Sequence, residues 1–160
     1  MAANQPNAFL RWLFRIPVHL YRWRCGWLLG HRFLLLIHIG RRTGQRHRTV
    51  LEVMEYRQHI PEMIVMSAFG PRAAWLRNIE AAKHATIVIG SRRFAVVHRL
   101  LDEAEAIQVI ARYESRNRLL APVLRAALSR FVGWRYDGTD QARRRLAAAL
   151  PLVAFRPKNG

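Results

Sequence analysis

The chain has 160 residues, with 27 Lys+Arg against 10 Asp+Glu, for a formal net charge of +17. That length gives one domain with room for a core, and 51% hydrophobic residues exclude a disordered chain. Cys25 is the only cysteine, which excludes an intrachain disulfide and a multi-cysteine metal site and suits a reducing, cytoplasmic compartment.

In chain order, residues 8–29 form a basic, aromatic-rich segment that reads as an amphipathic helix kinked near Pro17. Arg11, Arg15, Arg22 and Arg24 are too costly for a membrane span, and no long apolar stretch marks a signal peptide. The segment reads either as a cap on the protein's own core or as a helix lying on the inner face of a membrane, where Trp, Phe and Arg occur together. The division expected is a helical segment over 1–30 and a folded domain over 31–160.

Residues 32–39 are an apolar run of strand length. A glycine-flanked basic turn follows, then a partly alternating strand over 46–56 and a third strand over 62–68. Residues 71–82 read as a helix with Pro71 in its first turn. Residues 85–89 and 93–100 pair across Gly90-Ser91 as a hairpin. A helical pattern over 102–131 is divided by Pro122, and Thr139 or Asp140 caps a last helix to Leu150. The segment LVAFRP is a final strand. Short strands without regular helical crossovers predict an α+β protein: a small, mainly antiparallel barrel with flanking helices.

The densest charge lies in Gly40-Arg41-Arg42-Thr43-Gly44-Gln45-Arg46-His47-Arg48. Guanidinium forks clamp phosphate or carboxylate, glycines let amides turn toward an anion, and Thr43 adds a hydroxyl. Arg46 and Arg48, two apart on a strand, project to one face along which an extended polyanion could lie. The plain alternative is a solvated basic turn, and the glycine spacing fits neither a Walker loop nor a dinucleotide fingerprint. A second constellation, Ser67-Ala68-Phe69-Gly70-Pro71-Arg72, joins a strand end to a helix start. Trp75 beyond it reads as core rather than as a shelf for a cofactor, whereas Asn78 within a helix points to a specific hydrogen bond.

Ser67 lacks a G-x-S-x-G elbow, Cys25 lacks a positioned base, and the seven His lack metal spacing, so no catalytic residue and no metal ligand is assigned. His98 reads as a half-buried structural residue. A charge this large calls for an anionic partner, but no nucleic-acid reader motif is present.

The two loops together resemble the nitroreductase-family deazaflavin-dependent oxidoreductases. The resemblance is carried by Gly40-Arg41-Arg42-Thr43-Gly44, Arg46, Arg48-Thr49, Val65-Met66-Ser67-Ala68-Phe69-Gly70 and Trp75-Leu76-Arg77-Asn78-Ile79, and extends through Tyr136–Thr139 and Val153–Pro157. It implies a split β-barrel related to FMN-binding domains. It also implies the deazaflavin coenzyme F420, which carries a phosphate and an oligoglutamate tail, with FMN or haem as rival ligands of the same barrel. Arg41, Arg42, Thr43, Gly44, Gln45, Arg46 and Arg48 are then the expected binders of phosphate and tail. Met66, Ser67, Ala68 and Gly70 are the expected lining of the ring. The activity implied is hydride transfer to a small electron-poor acceptor: a quinone, an activated alkene or a nitro compound. Tyr56, Tyr136, His98 and water are open as proton donor. The competing reading is a non-catalytic membrane-surface or lipid-binding member of the fold. The short segment from Pro71 to Ala74, and Val50-Leu51-Glu52 where relatives carry Pro-Leu, depart from the family pattern on the substrate side.

Overall fold

A computed structural model describes residues 31–158; the predicted N-terminal helix over 8–29 and Cys25 lie outside the described residues. Six strands, β1 (Phe33–Ile39), β2 (Arg46–Arg57), β3 (Glu62–Met66), β4 (Ala85–Ile89), β5 (Arg92–Leu100) and β6 (Leu152–Pro157), close a barrel in the order β1-β2-β3-β6-β5-β4. Every neighbouring pair is antiparallel. The α+β barrel expected from short strands and tight turns is what forms.

Helix α1 (Ala74–Ala82) connects β3 to β4. The connection from β5 to β6 carries α2 (Glu103–Arg116), α3 (Ala121–Val132) and α4 (Asp140–Ala149). Thr139 caps α4 by accepting a hydrogen bond from the Ala142 amide, and Asp102 caps α2 by accepting from Glu105. The hairpin at Gly90-Ser91 is present, with Gly90 at φ 57° and Ile89 paired to Arg92. Two boundaries move. Pro71 sits in a 3-10 turn, Gly70–Arg72, ahead of α1 rather than inside it. The long helical pattern breaks at Asn117, whose amide reaches the Tyr113 and Glu114 carbonyls; Pro122 instead occupies the first turn of α3, where it displaces no helical hydrogen bond.

Period-two alternation sorts the barrel into two cores. Leu34, Leu36, Leu51, Val53, Met63, Val65, Ile87, Val153 and Phe155 join Trp75, Leu76 and Ile79 of α1 in the first. Ile64, Leu152 and Ala154, the opposite faces of β3 and β6, join Val109, Ile110, Tyr136 and Leu146 beneath α2 and α4 in the second. Strands buried on both faces read as continuous apolar runs, as EMIVM and LVAF do.

Ion pairs lace the strands outside the cores. Glu62 on β3 is 1% exposed and accepts from Arg57 on β2, from Arg99 on β5 through two 3.0 Å bonds, and from Arg156 on β6. Glu105 at the start of α2 adds bonds from Arg99 and Arg57, and Glu55 binds Arg57 and Arg112. Charges this buried are stable only when paired in this way.

Candidate functional site

The basic turn joins β1 to β2, whose register runs from Ile39↔Arg46 to Phe33↔Glu52. Gly44 takes φ 66°, which glycine adopts without strain. Gly40 is crowded for a different reason: a Cβ there would stand 2.7 Å from the His47 imidazole and 2.8 Å from the Thr43 hydroxyl, so both side chains would have to shift. The turn is closed from within. The Gly40 amide donates to the Gln45 carbonyl, Gly44 to Gly40, and Gln45 to Thr43 Oγ1. The Gly40, Gly44 and Gln45 amides are thus spent on the turn itself rather than turned toward an anion. The guanidiniums are the charged groups that remain for an external ligand.

These guanidiniums are available. All residues from Arg41 to Arg48 are exposed. The described ion pairs engage Arg57, Arg99, Arg112, Arg143 and others, but none of Arg41, Arg42, Arg46 and Arg48. No Asp or Glu occurs from Gly40 to Leu51. Arg46 and Arg48 lie across from Ile39 and Ile37 on one face, as the alternation predicts, while His47, on the other face and also exposed, stacks on His38 at 5.6 Å.

Arg41 turns the other way, onto α1. Its amide and its guanidinium both donate to Asn78 Oδ1, at 3.2 and 3.0 Å. With Oδ1 so committed, Asn78 Nδ2 faces His38 Nδ1 at 3.1 Å, and that nitrogen must accept. The imidazole proton therefore sits on Nε2, 3.2 Å from Thr49 Oγ1. Burial, with His47 second, holds the His38 pKa below the ordinary histidine value, so the ring is neutral in this network. Asn78 and His38 are 5% and 4% exposed. The hydrogen bond expected of Asn78 thus exists and anchors the basic turn. His38 was not read from the sequence, although a polar residue in phase with buried Leu34 and Leu36 was its signal.

The loop after β3 leads straight into α1, so the two constellations meet on one helix, Asn78 lying about 7 Å along the axis from Ala73. Ser67 is fully buried; its hydroxyl donates to the Gly70 carbonyl at 2.7 Å and its amide to the Pro151 carbonyl. It shapes the loop rather than presenting a donor. Gly70 takes φ 69°, and a Cβ there would lie 3.1 Å from the Ala149 carbonyl, so the close approach it permits is to the end of α4. Met66 packs into the second core. Ala68 and Gly70, with Phe69, Pro71, Arg72, Phe131, Val132, Ala149 and Leu150, line an open apolar cleft of about 420 Å³. Phe69, 59% exposed, meets Phe131 edge-on at 6.2 Å. Phe131 and Leu150 come from segments far along the chain, which no local motif could have linked to this loop.

Trp75 is buried against Phe155, as the core reading held. Of the candidate proton donors, none lines the cleft. Tyr136 is buried and donates to Glu114 at 2.9 Å, burial pushing its pKa up; His98 is half-buried with its pKa lowered by burial; Tyr56 stacks on His31. Among the described residues no His, Cys, Asp and Glu cluster could hold a metal, and no helix is long and apolar enough to cross a membrane.

Six antiparallel strands closed in this order, with helices inserted between β3 and β4 and between β5 and β6, define a split β-barrel. Solved structures agree in fold. The Atu2129 protein of Agrobacterium tumefaciens matches with a TM-score of 0.50 and 13% identity over 87% of this chain, which spans only 55% of that protein. The haem storage protein HutZ of Vibrio cholerae matches with 0.51 and 14% identity over 88% of this chain and 92% of that one. A pyridoxamine 5'-phosphate oxidase-like protein of Listeria innocua matches with 0.51 and 12% identity, over 87% and 93%. No curated protein matches the sequence. The sequence profile of the F420H(2)-dependent quinone reductase family matches residues 13–121, and the chain belongs to that family. It is an F420-dependent oxidoreductase, a deazaflavin-dependent reductase with a small-molecule acceptor.

Proposed function

We propose that this protein transfers a hydride from reduced F420 to a quinone, holding the coenzyme's acidic arm on the turn from Gly40 to Arg48. The observation that carries the reading is the set of exposed guanidiniums there, which enter no ion pair among the described residues and stand in a stretch, Gly40 to Leu51, that holds no Asp or Glu. A phosphate and an oligoglutamate tail are the anions such forks grip. When bound, the deazaflavin supplies the hydride; orientation, charge and shielding are the protein's part.

Arg42, Arg46 and Arg48 bind tail carboxylates, and Arg41, held by Asn78, offers its remaining N–H groups to the phosphate. Thr43 Oγ1 accepts from the Gln45 amide and keeps its own proton to donate. Ala68 and Gly70 give the ring a thin backbone wall; Ser67 and Met66 support that wall from behind. Phe69 and Phe131 flank the cleft with flat apolar surface suited to a planar acceptor and exclude water from it. Because Tyr56, Tyr136 and His98 stand away from the cleft, the proton that accompanies the hydride comes from water at its mouth.

The test is a binding titration of wild type and Arg42→Ala with F420 carrying long and short oligoglutamate tails, at low and high salt. Loss of one fork should weaken the long-tailed coenzyme about fivefold and flatten the salt dependence. Affinities independent of tail length and salt would place the anionic arm elsewhere.

A further inference from the structure

Helix α3 contains no buried residue. Leu128, Phe131 and Val132 rest half-buried on the second core, but the opposite side is exposed. Leu119, Leu120 and Val123 are 91%, 56% and 68% exposed, and Pro122, Ala126 and Ala127 continue the exposed apolar face. Contiguous apolar surface of this kind on an otherwise charged protein marks a contact face.

The charge around it chooses the contact. Between Glu114 and Asp137 there is no acidic residue, but there are Arg116, Arg118, Arg125, Arg130 and Arg135. Arg118 and Arg130, both exposed, flank the apolar stripe at its two ends, and Trp134 follows with the Arg145 guanidinium 4.3 Å over its ring. An exposed apolar helix face edged by arginines, with a tryptophan at one end and no carboxylate, is the pattern of a helix lying in a lipid headgroup region. A second copy of the chain would bring the same arginines against their own kind on a molecule of charge +17. The family match ends at residue 121, so nearly all of α3 lies beyond it.

We propose that the protein docks on anionic bilayers through Leu119, Leu120 and the exposed face of α3. The helix lies flat, with Leu119 and Leu120 of the turn before it and Val123 entering the acyl boundary, and with Arg118 and Arg130 on lipid phosphates. The docking stands independently of the coenzyme reading. One consequence does rest on it: the last turn of α3 lines the cleft through Phe131 and Val132, so docking brings that cleft beside the bilayer in which an apolar quinone dissolves.

The experiment is co-sedimentation of the full chain with phosphatidylcholine vesicles, with and without phosphatidylglycerol. Wild type should sediment with the anionic vesicles only, and salt should release it. Leu119→Ser/Leu120→Ser/Val123→Ser should lower the partition coefficient about tenfold or more, and Arg118→Gln/Arg130→Gln should lower it and flatten the salt dependence. All five positions are exposed, and unchanged F420 affinity and melting temperature confirm folding. A polarity-sensitive dye on Val123→Cys, in a Cys25→Ser background, should shift to the blue on anionic vesicles. The proposal is overturned if the triple variant binds as wild type does, if the dye does not shift, or if wild type sediments as a dimer that the triple variant abolishes, which would make the face a contact between copies.

Discussion

Asn78 joins the two halves of the site through three hydrogen bonds, so Asn78→Ala is the most informative single change. Arg41 is exposed, and water can replace Asn78 at both its N–H groups at little cost. His38 is 4% exposed, and its Nδ1 would be left without a donor. An orphaned buried acceptor costs about 1–3 kcal/mol, which at about 2–4 °C per kcal/mol for a chain of this size lowers the melting temperature by about 2–12 °C. The freed Arg41 would also have to be ordered on binding, at about 1 kcal/mol, or roughly fivefold in F420 affinity. A double-mutant cycle separates this from a general loss of structure. Because Asn78 acts on the coenzyme only through Arg41, Asn78→Ala/Arg41→Ala should bind no more weakly than Arg41→Ala alone. Additive losses, or an unchanged melting temperature in Asn78→Ala, would refute the argument.

Other consequences are open to simpler measurements. Gly70→Ala places a Cβ 3.1 Å from the Ala149 carbonyl at φ 69° and should lose about 1–2 kcal/mol in urea denaturation; Gly44→Ala, equally left-handed but with open space around it, should lose less, and equal losses would remove the packing role of Gly70. The hydrogen bonds from Arg99, helped by Arg57, hold the Glu105 carboxyl down at about 2. Stability from this group is complete above its ordinary 4.5 and is lost as pH falls toward 2, so Glu105→Gln should flatten the urea midpoint across that window. His38 is held below 6.5, so the folded state gives up its proton first and stability should decline as pH drops below 6.5. His38→Gln should remove that decline, and nitrogen NMR should find the ring proton on Nε2; a proton on Nδ1 would reverse the network drawn here.

The legible parts of this fold are those set by local chemistry. Gly90-Ser91 needed a left-handed residue, Thr139 a free amide to cap, and the β1 and β2 runs their alternation; each could be read from a few neighbouring letters. The break at Asn117 rather than Pro122 was not legible, because proline is as welcome in a first helical turn as it is disruptive in a later one. At the candidate site, the pattern announced the basic turn and Asn78. It gave the glycine amides of the turn to a ligand, however, whereas those of Gly40 and Gly44 close the turn on itself. The cleft was hidden altogether, since Phe131, Val132, Ala149 and Leu150 reach the loop after β3 only through the packing of α3 and α4.

The distribution of the carboxylates has a kinetic consequence. Seven of the ten, Glu52, Glu55, Glu62, Glu103, Glu105, Glu114 and Asp140, are engaged by arginines, and none stands in the stretch from Gly40 to Leu51. An uncancelled positive potential therefore surrounds the β1–β2 turn, as it does the arginines that border α3. A polyanion diffusing nearby is drawn there before it touches anything, and added electrolyte should slow its arrival more than it hastens its departure.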